Sequence, residues 1–146
     1  MVELSSKSEY ALLAMVELAI AYPTGEPLQI RQIAAQQSIP DRYLEQLLAS
    51  LRRCGLIRSQ RGAKGGYLLV RDPSNINLLE ILNCIEGLDK QPVEETLNAK
   101  TLEGATVYDI WQEAEQAAFA VLHSYSLQDL AEKCKARKQL DIMYYI

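Results

Sequence analysis

Apolar residues recur at helical spacing along most of the chain, and this pattern predicts a mainly α-helical fold. Helices are expected over residues 28–37, 41–54, 78–86, 105–123 and 126–134. A capping box at 6–9 opens a further helix that ends near Tyr22. Asn77 with Glu80 caps the helix over 78–86, and Gly87 ends it. The short runs 57–60 and 67–71 read as two strands of a hairpin.

The helix predicted over 41–54 has two contrasting faces. One face is an apolar stripe formed by Tyr43, Leu44, Leu47, Leu48 and Leu51. The opposite face carries long polar groups around one small residue: Arg42, Glu45, Gln46, Ala49, Arg52 and Arg53. A small side chain allows close approach and the polar groups can reach base edges, so this face suits a DNA major groove.

The hairpin that follows has a loop at 61–66 that is rich in glycine and basic residues. Such a loop is poorly suited to a core, but it can contact the sugar-phosphate backbone or enter a minor groove. An ordinary hairpin beside a solvated surface helix is the alternative. The adjacency of the two elements favours a winged helix-turn-helix that binds DNA.

Charge is distributed unevenly along the chain. The net charge is −4, which alone argues against nucleic acid. Between residues 31 and 71, however, eight basic residues face only Asp41 and Glu45, so this module carries +6 and the remainder −10. A basic module on an acidic body is typical of an oriented nucleic-acid-binding surface.

Three motifs together resemble the IscR/NsrR/CymR-type family of bacterial winged-helix regulators. They are the run 43–48, the Leu51-Arg52 pair with Gly55-Leu56-Ile57, and Arg61-Gly62 with Gly65-Gly66-Tyr67. The resemblance implies a dimeric repressor or activator, in which Glu45 accepts a hydrogen bond from cytosine and Arg61 reaches the minor groove. Ser38 stands where the family usually has glycine, so a left-handed turn there would cost roughly 1–2 kcal/mol.

These observations define one set of candidate DNA-binding residues. The set is Arg31, Arg42, Tyr43, Glu45, Gln46, Ala49, Arg52, Arg53, Arg58, Arg61, Gly62, Lys64, Gly65, Gly66 and Tyr67.

The helix predicted over 105–123 would be roughly 28 Å long, which exceeds what a small core needs. Its apolar stripe consists of Val107, Ile110, Trp111, Ala114, Ala118, Val121 and Leu122. The helix could pack on its own domain, but dimerisation is the better interpretation and the resemblance implies it too. The apolar tail at 140–146 is expected to pack on its own domain or on the partner.

The predicted organisation therefore has three parts. Residues 1–87 form the winged helix-turn-helix domain, 88–104 an irregular connecting loop at the family's sensor position, and 105–146 the dimerisation helix, a short helix and the tail.

Three cysteines without a C-x-x-C pair do not suggest a disulfide framework. Cys54 and Cys84 are expected to act as small hydrophobic residues. Cys134 lies between Lys133 and Lys135, which would favour its thiolate, so it is the candidate redox thiol.

Cofactor and metal ligands are expected to be absent. Cluster-binding relatives place three cysteines between the helix after the wing and the dimerisation helix, whereas 88–104 contains none. An iron–sulfur cluster would need Cys84 with unusual partners such as Glu9, His123 or a residue of a second subunit. Glu9 matches a position where some relatives offer a carboxylate, but the capping role explains it.

Two function classes stay open at this stage. The first is a homodimeric, sequence-specific transcription regulator that binds an inverted-repeat DNA operator and is expected to act as a repressor. The second is a winged-helix module that binds a protein. No catalytic motif indicates an enzyme, and no segment is apolar enough to span a membrane, so a cytoplasmic location is expected. The signal could be a small ligand or a partner protein.

Overall fold

The computed structural model describes residues 4–87 and 101–144, and the expectations for 88–100 lie outside these residues. The helices are α1 (Ser6–Ala21), α2 (Ile30–Gln37), α3 (Asp41–Arg53), α4 (Leu78–Glu86), α5 (Leu102–Ser124) and α6 (Leu127–Tyr144). The strands β1 (Ile57–Gln60) and β2 (Gly66–Leu69) form an antiparallel hairpin. Short 3₁₀ turns occupy Tyr22–Thr24 and Pro73–Asn75. The mainly α winged-helix fold is thus confirmed.

Helix α1 lies at the centre of the core and packs against α3, α4 and α6. Its buried face includes Ala11, Ala14 and Met15, which are fully shielded from solvent. The small alanines let neighbouring helices approach closely, while Met15 fills the space between them. The nearly apolar sequence of this helix is explained by contacts on several sides.

The N-terminus of α1 differs from its prediction. Ser5, not Ser6, is the N-cap, and its hydroxyl accepts from the backbone N–H of Ser8 at 3.1 Å. Glu9 is exposed and does not complete the capping box. Glu86 of α4 accepts from the Ser5 hydroxyl and, at 2.6 Å, from the Ser8 hydroxyl. These bonds tie the start of α1 to α4, but they do not replace the bond to a backbone N–H that a capping-box carboxylate makes.

Helix α2 begins at Ile30 rather than at residue 28 because Leu28 forms an isolated β-bridge with Tyr67 of β2. The backbone of Leu28 exchanges two hydrogen bonds with that of Tyr67, at 3.0 and 2.7 Å. Gln29 then caps α2 in reciprocal contact with Gln32. After α2, Ser38 adopts the left-handed conformation with φ 54° that the family's usual glycine would take more easily.

The wing pairs Ile57 with Leu69 and Gln60 with Gly66. Strand β2 ends at Leu69 rather than at Arg71 because its partner strand begins at Ile57. Arg71 turns away, and its guanidinium donates to the carbonyl of Asn75 at 2.5 Å and to Glu80 at 3.0 Å. This arginine therefore holds the start of α4 instead of extending the wing.

The caps expected for α4 are confirmed. Asn77 accepts from the backbone N–H of Glu80 at 3.0 Å, and the Glu80 carboxylate accepts from the N–H of Asn77 at 3.1 Å. Gly87 ends the helix in the left-handed conformation with φ 63°. These local signals were sufficient to bound the helix at both ends.

Helix α5 is longer than predicted, because it begins at Leu102 inside the segment expected to be irregular. Thr101 caps it by accepting from the N–H of Gly104 at 2.9 Å. A glycine in the first helical turn weakens the sequence signal without breaking the helix. The helix spans 23 residues and would be about 34 Å long.

Helix α6 runs to Tyr144, so the prediction of a short helix ending near residue 134 is wrong. Its start is as expected, since Ser126 and Asp129 form a reciprocal capping box at 3.0 and 2.9 Å. Beyond it the sequence holds no glycine or proline, and its many Lys, Arg, Gln and Leu residues favour helix continuation. Leu127 and Ala131 lie in the core, but Leu140, Met143 and Tyr144 are exposed, so the described part of the tail, 140–144, does not pack on its own domain.

The structure also contains a disulfide between Cys54 and Cys84, whose Cα atoms are 6.1 Å apart. The expectation that both residues act only as small hydrophobic side chains is therefore wrong. Cys54 is the C-cap of α3, Cys84 lies on α4, and the two helices pack together. Spacing in the sequence does not reveal this pair, because 30 residues and the whole wing separate its members.

Candidate nucleic-acid interface

Helix α3 packs as its pattern predicts. Leu44, Leu47, Leu48 and Leu51 are buried, and the polar residues opposite them are largely exposed. Tyr43 is the exception within the predicted apolar stripe, because it is 39% exposed and meets the ring of Tyr10 edge-on at 5.5 Å. Tyr43 therefore lies at the border between the core and the exposed face.

An open cleft of about 660 Å³ lies between the start of α3 and the wing. Glu45 reaches it from α3, Arg61 and Gly62 from the wing loop, and Arg31 from the start of α2. Residues 29, 30, 41, 60, 65 and 66 complete its lining. The structure thus brings predicted residues from three separate elements around one space.

The opposite side of α3 borders a smaller depression of about 380 Å³. Tyr43, Gln46, Ala49 and Arg53 line it together with Lys7 of α1. The sequence analysis missed Lys7, although the available signal was a basic residue in the first turn of α1, which packs beside α3. The predicted residues therefore lie on both sides of α3.

The exposed cations of the interface differ in how they are held. Arg52 donates to the hydroxyl of Ser59 on β1 at 3.4 Å, and Arg53 donates to that of Ser50 at 3.1 Å. In contrast, five exposed cations make no hydrogen bond or ion pair within residues 4–87 and 101–144: Arg31, Arg42, Arg58, Arg61 and Lys64. All the N–H donors of these unpaired side chains are therefore available to a phosphate or base.

Three of the candidate residues in the wing are needed for its structure. A Cβ on Gly65 would lie 2.2 Å from the carbonyl oxygen of Gln60, and one on Gly66 would lie 2.4 Å from that of Leu28. Only glycine fits such close backbone contacts. Tyr67 is half-buried and packs against the core. These residues shape the wing, whereas Gly62, at φ 112°, lies at its exposed tip.

Helix α5 has no buried residue despite its apolar stripe. Val107, Ile110, Trp111 and Val121 are each at least 50% exposed. Leu122, near the end of the stripe, packs against the core, and Ala118 is half-buried. The remaining member, Ala114, is exposed. The stripe is therefore anchored at its C-terminal end and open along most of its length.

The pKa of Glu86, at the end of α4, is lowered below its ordinary value. The main cause is the hydrogen bond from the Ser5 hydroxyl, and the bond from the Ser8 hydroxyl adds to it.

Cys134, the candidate redox thiol, is a free cysteine that is half-buried and packs against the core. Its neighbourhood is less open than the flanking lysines suggested.

A helix-turn-helix with an exposed polar reading face, followed by a basic hairpin, defines the winged-helix class of DNA-binding proteins. The chain belongs to the Rrf2 family, described as iron-dependent transcriptional regulators, which it matches over residues 4–133. The family resemblance of the reading helix and wing is thereby confirmed, and the chain is a DNA-binding transcription regulator of this family.

Two relatives show how far the similarity extends. The chain is 35% identical over 144 residues to the HTH-type transcriptional regulator CymR of Bacillus subtilis, and the match covers 99% of both chains. The solved structure of that CymR, titled the global cysteine regulator, has a TM-score of 0.75 and 34% identity, covering 91% of this chain and 98% of that one. The structure of T. potens IscR gives 0.76 and 32%, covering 91% and 88%.

Because the family is described as iron-dependent, the donor set matters. Within residues 4–87 and 101–144, no three side chains of His, Cys, Asp or Glu converge as metal ligands, so Cys84, Glu9 and His123 are not brought together. Cys84 is bonded to Cys54, and residues 88–100 contain carboxylates but no cysteine. An Fe–S centre wants converging thiolates. The residues of this chain do not fit such a cluster in the usual manner.

None of the helices in the described parts of the chain is both long and apolar enough to cross a membrane.

Proposed function

We propose that the protein is a homodimeric, sequence-specific repressor that binds an inverted-repeat operator through α3 and the wing. The observation that carries this proposal is the cleft shared by Glu45 of α3 and Arg61 of the wing loop. A helix in a major groove and a loop beside it can then contact one duplex at the same time.

Base recognition is assigned mainly to the exposed face of α3. Glu45 is an acceptor suited to the N4 amino group of cytosine, and Gln46 can bond an adenine edge. Ala49 is small enough to let the helix axis approach the groove. Arg42 extends the same face at the start of the helix.

Arg61 is assigned to the minor groove, where a guanidinium is favoured by the negative potential of a narrow groove. The other unpaired cations, Arg31, Arg58 and Lys64, are assigned to phosphates, and Lys7 with Arg53 to phosphates on the other side of α3. Phosphate contacts fix the register of the protein without reading sequence.

Dimerisation is assigned to α5, with residues 1–87 as the DNA-binding domain. A helix that exposes Val107, Ile110 and Trp111 on one side would be unfavourable in water without a covering partner. A second copy of the same helix offers a matching stripe, as in most two-fold symmetric dimers. Two reading helices about 34 Å apart, or a multiple of that, would then match the two halves of an inverted repeat.

Repression follows from occupancy, since a dimer covering a promoter excludes the transcription machinery from the same DNA. A small ligand or a partner protein could then release it by favouring another spacing of the reading helices.

The protein-binding alternative predicts a different interface. Its contact face would be expected to expose apolar residues, whereas α3 and the wing expose charge. Salt distinguishes the two, because displacement of counterions makes DNA affinity fall steeply with salt concentration.

The test is selection of duplexes from a random-sequence library, followed by affinity measurements over a range of salt. We expect an inverted repeat. Glu45→Ala should relax base preference at one position in each half-site, where a specific contact is worth ~1–3 kcal/mol.

Lys64→Ala is the matched control, since it should weaken all sequences alike and lower the salt slope by about one unit. Recovery of no preferred sequence, or an unchanged base preference in Glu45→Ala, would contradict the assignment.

A further inference from the structure

The disulfide between Cys54 and Cys84 has no role in the proposed function so far. It joins the C-cap of helix α3 to the last turn of α4. A DNA-binding regulator works in the reducing interior of the cell, where protein disulfides are rare and usually transient or redox-sensing. A crosslink at this position therefore calls for an explanation beyond fold stability.

The position of the bond connects the two parts of the molecule. Immediately after Cys54, Gly55 turns the chain towards β1 and the wing, with φ 77°. Helix α4, which carries Cys84, packs against α3 on one side and against α5 on another. The bond thus ties the end of the reading helix to the helix that contacts the dimerisation helix.

The two sulfurs differ in access. Cys54 is exposed, while Cys84 is half-buried against the core. The Sγ of Cys84 lies 3.4 Å from the carbonyl oxygen of Ser50, which can accept a hydrogen bond from this thiol once the bond is reduced. Small molecules therefore reach Cys54 first. Cys84 lies beside it and is the resolving cysteine, which displaces the small molecule from Cys54.

We propose that Cys54 and Cys84 form a reversible thiol–disulfide exchange site for low-molecular-weight disulfides, and that closing the bond raises operator affinity. The second half of the proposal rests on the proposed DNA-binding function. The Cys54 thiolate attacks the small disulfide, forming a mixed disulfide and releasing one thiol.

The Cys84 thiolate then attacks the sulfur of Cys54 and releases the second thiol. The two protein thiols lose two protons and two electrons overall, and the small disulfide is reduced to two thiols. The reverse exchange with excess thiol reopens the bond.

The effect on DNA follows from preorganisation. The crosslinked state is the one in which Glu45 and Arg61 line a common cleft. Without the bond, buried contacts of α3 such as Leu48 and Leu51 keep the domain folded, but the end of α3 can move relative to α4. Ordering that end on DNA then reduces the affinity of the open form.

The exchange chemistry is tested first, in the full chain and without DNA. The protein is equilibrated with mixtures of oxidised and reduced glutathione, and free thiols are counted from the mass added by alkylation. We expect the count to change between three and one, with Cys134 as the remaining thiol. Cys134→Ser should shift both counts down by one and keep the transition. A count that stays at three under excess oxidised glutathione would overturn the exchange site.

Operator affinity is tested next, with duplexes selected separately by the oxidised and the reduced protein. We expect the oxidised protein to bind at least about fivefold more tightly. Cys84→Ser should bind like the reduced protein under both conditions, and Cys134→Ser should respond like the wild type. Equal affinity of the two forms, or tighter binding by the reduced form, would overturn the coupling. If neither form binds any duplex, the proposed function fails as well, while the thiol count still decides the exchange chemistry.

Discussion

The DNA-binding domain and helix α5 bury their apolar residues to opposite extents. In residues 4–87, side chains such as Leu48, Leu51 and Ile81 are fully enclosed by neighbouring elements. In α5, none of the 23 residues is buried, although the helix carries a continuous apolar stripe. The first region completes its core within one chain, and the second does not. This contrast supports the proposal that α5 packs against another chain.

The exposed residues of the two regions differ in the same way. The reading helix and wing expose cations such as Arg42, Arg61 and Lys64, whereas α5 exposes Ile110 and Trp111. Exposed charge is stable in water and attracts phosphates at long range, but exposed apolar surface is stabilised only by being covered. The two surfaces are therefore suited to different kinds of partner.

The largest expected effect tests α5. Ile110→Asp should raise the dimer dissociation constant by ~100-fold or more, because an unpaired charge in an apolar interface costs roughly 3–5 kcal/mol. Sedimentation measures the dissociation constant, and thermal unfolding should show that the DNA-binding domain stays intact.

Gln116→Asp introduces the same charge outside the stripe of the same helix and should leave dimerisation nearly unchanged. Equal dissociation constants for Ile110→Asp and the wild type would show that the stripe is not the interface.

The second effect belongs to the DNA-binding domain alone. Cys54→Ser should lower the free energy of unfolding by about 3–4 kcal/mol, since the lost bond closes a loop of 30 residues. The corresponding fall in melting temperature is roughly 10 °C.

Cys134→Ser is the control and should change stability by less than about 1 kcal/mol. The domain's stability in the absence of reductant is the quantity to compare. A Cys54→Ser protein as stable as the oxidised wild type would mean that the crosslink is not formed in solution.

A smaller effect concerns the turn between α2 and α3. Ser38→Gly should stabilise the protein by roughly 0.5–1 kcal/mol, because glycine adopts the left-handed conformation without the strain that serine bears. Chemical denaturation gives the difference in unfolding free energy. Ser38→Ala keeps a Cβ and should show no such gain, so equal stability of the Gly and Ala variants would argue against backbone strain at this turn.

The smallest effect depends on pH. The pKa of Glu86 is lowered in the folded state, so its contribution to stability is fully present above its ordinary value near 4.5 and is lost as the pH falls through the folded-state value. Glu86→Gln should therefore lower the melting temperature at neutral pH, and the difference should close in acid. Glu26→Gln, in an exposed loop, should produce no such pH-dependent difference. A gap that persists in acid would assign the effect of Glu86 to packing rather than charge.

Local physics was sufficient for much of the fold and for the candidate interface. The spacing of leucines in α3 predicted its buried face, and the Asn77–Glu80 cap and Gly87 bounded α4. The leucine spacing and the helix caps each involve residues within one or two helical turns, so they can be recognised from the sequence alone. The length of α6 also follows from local sequence, since helix-forming residues follow Ser126 without a glycine or proline. The prediction of a helix ending near residue 134 did not take this into account.

The remaining features depend on which elements meet. The hydroxyl of the N-cap residue Ser5 donates to Glu86, which lies 81 residues away. Leu28 lies outside the helix predicted for it because its backbone pairs with that of Tyr67. Cys54 and Cys84 form a disulfide because α3 packs on α4. Hydrophobic periodicity reports only which face of an element is buried. The neighbour that buries it is chosen by the packing of the whole domain, and for the stripe of α5 the proposed neighbour is a second chain.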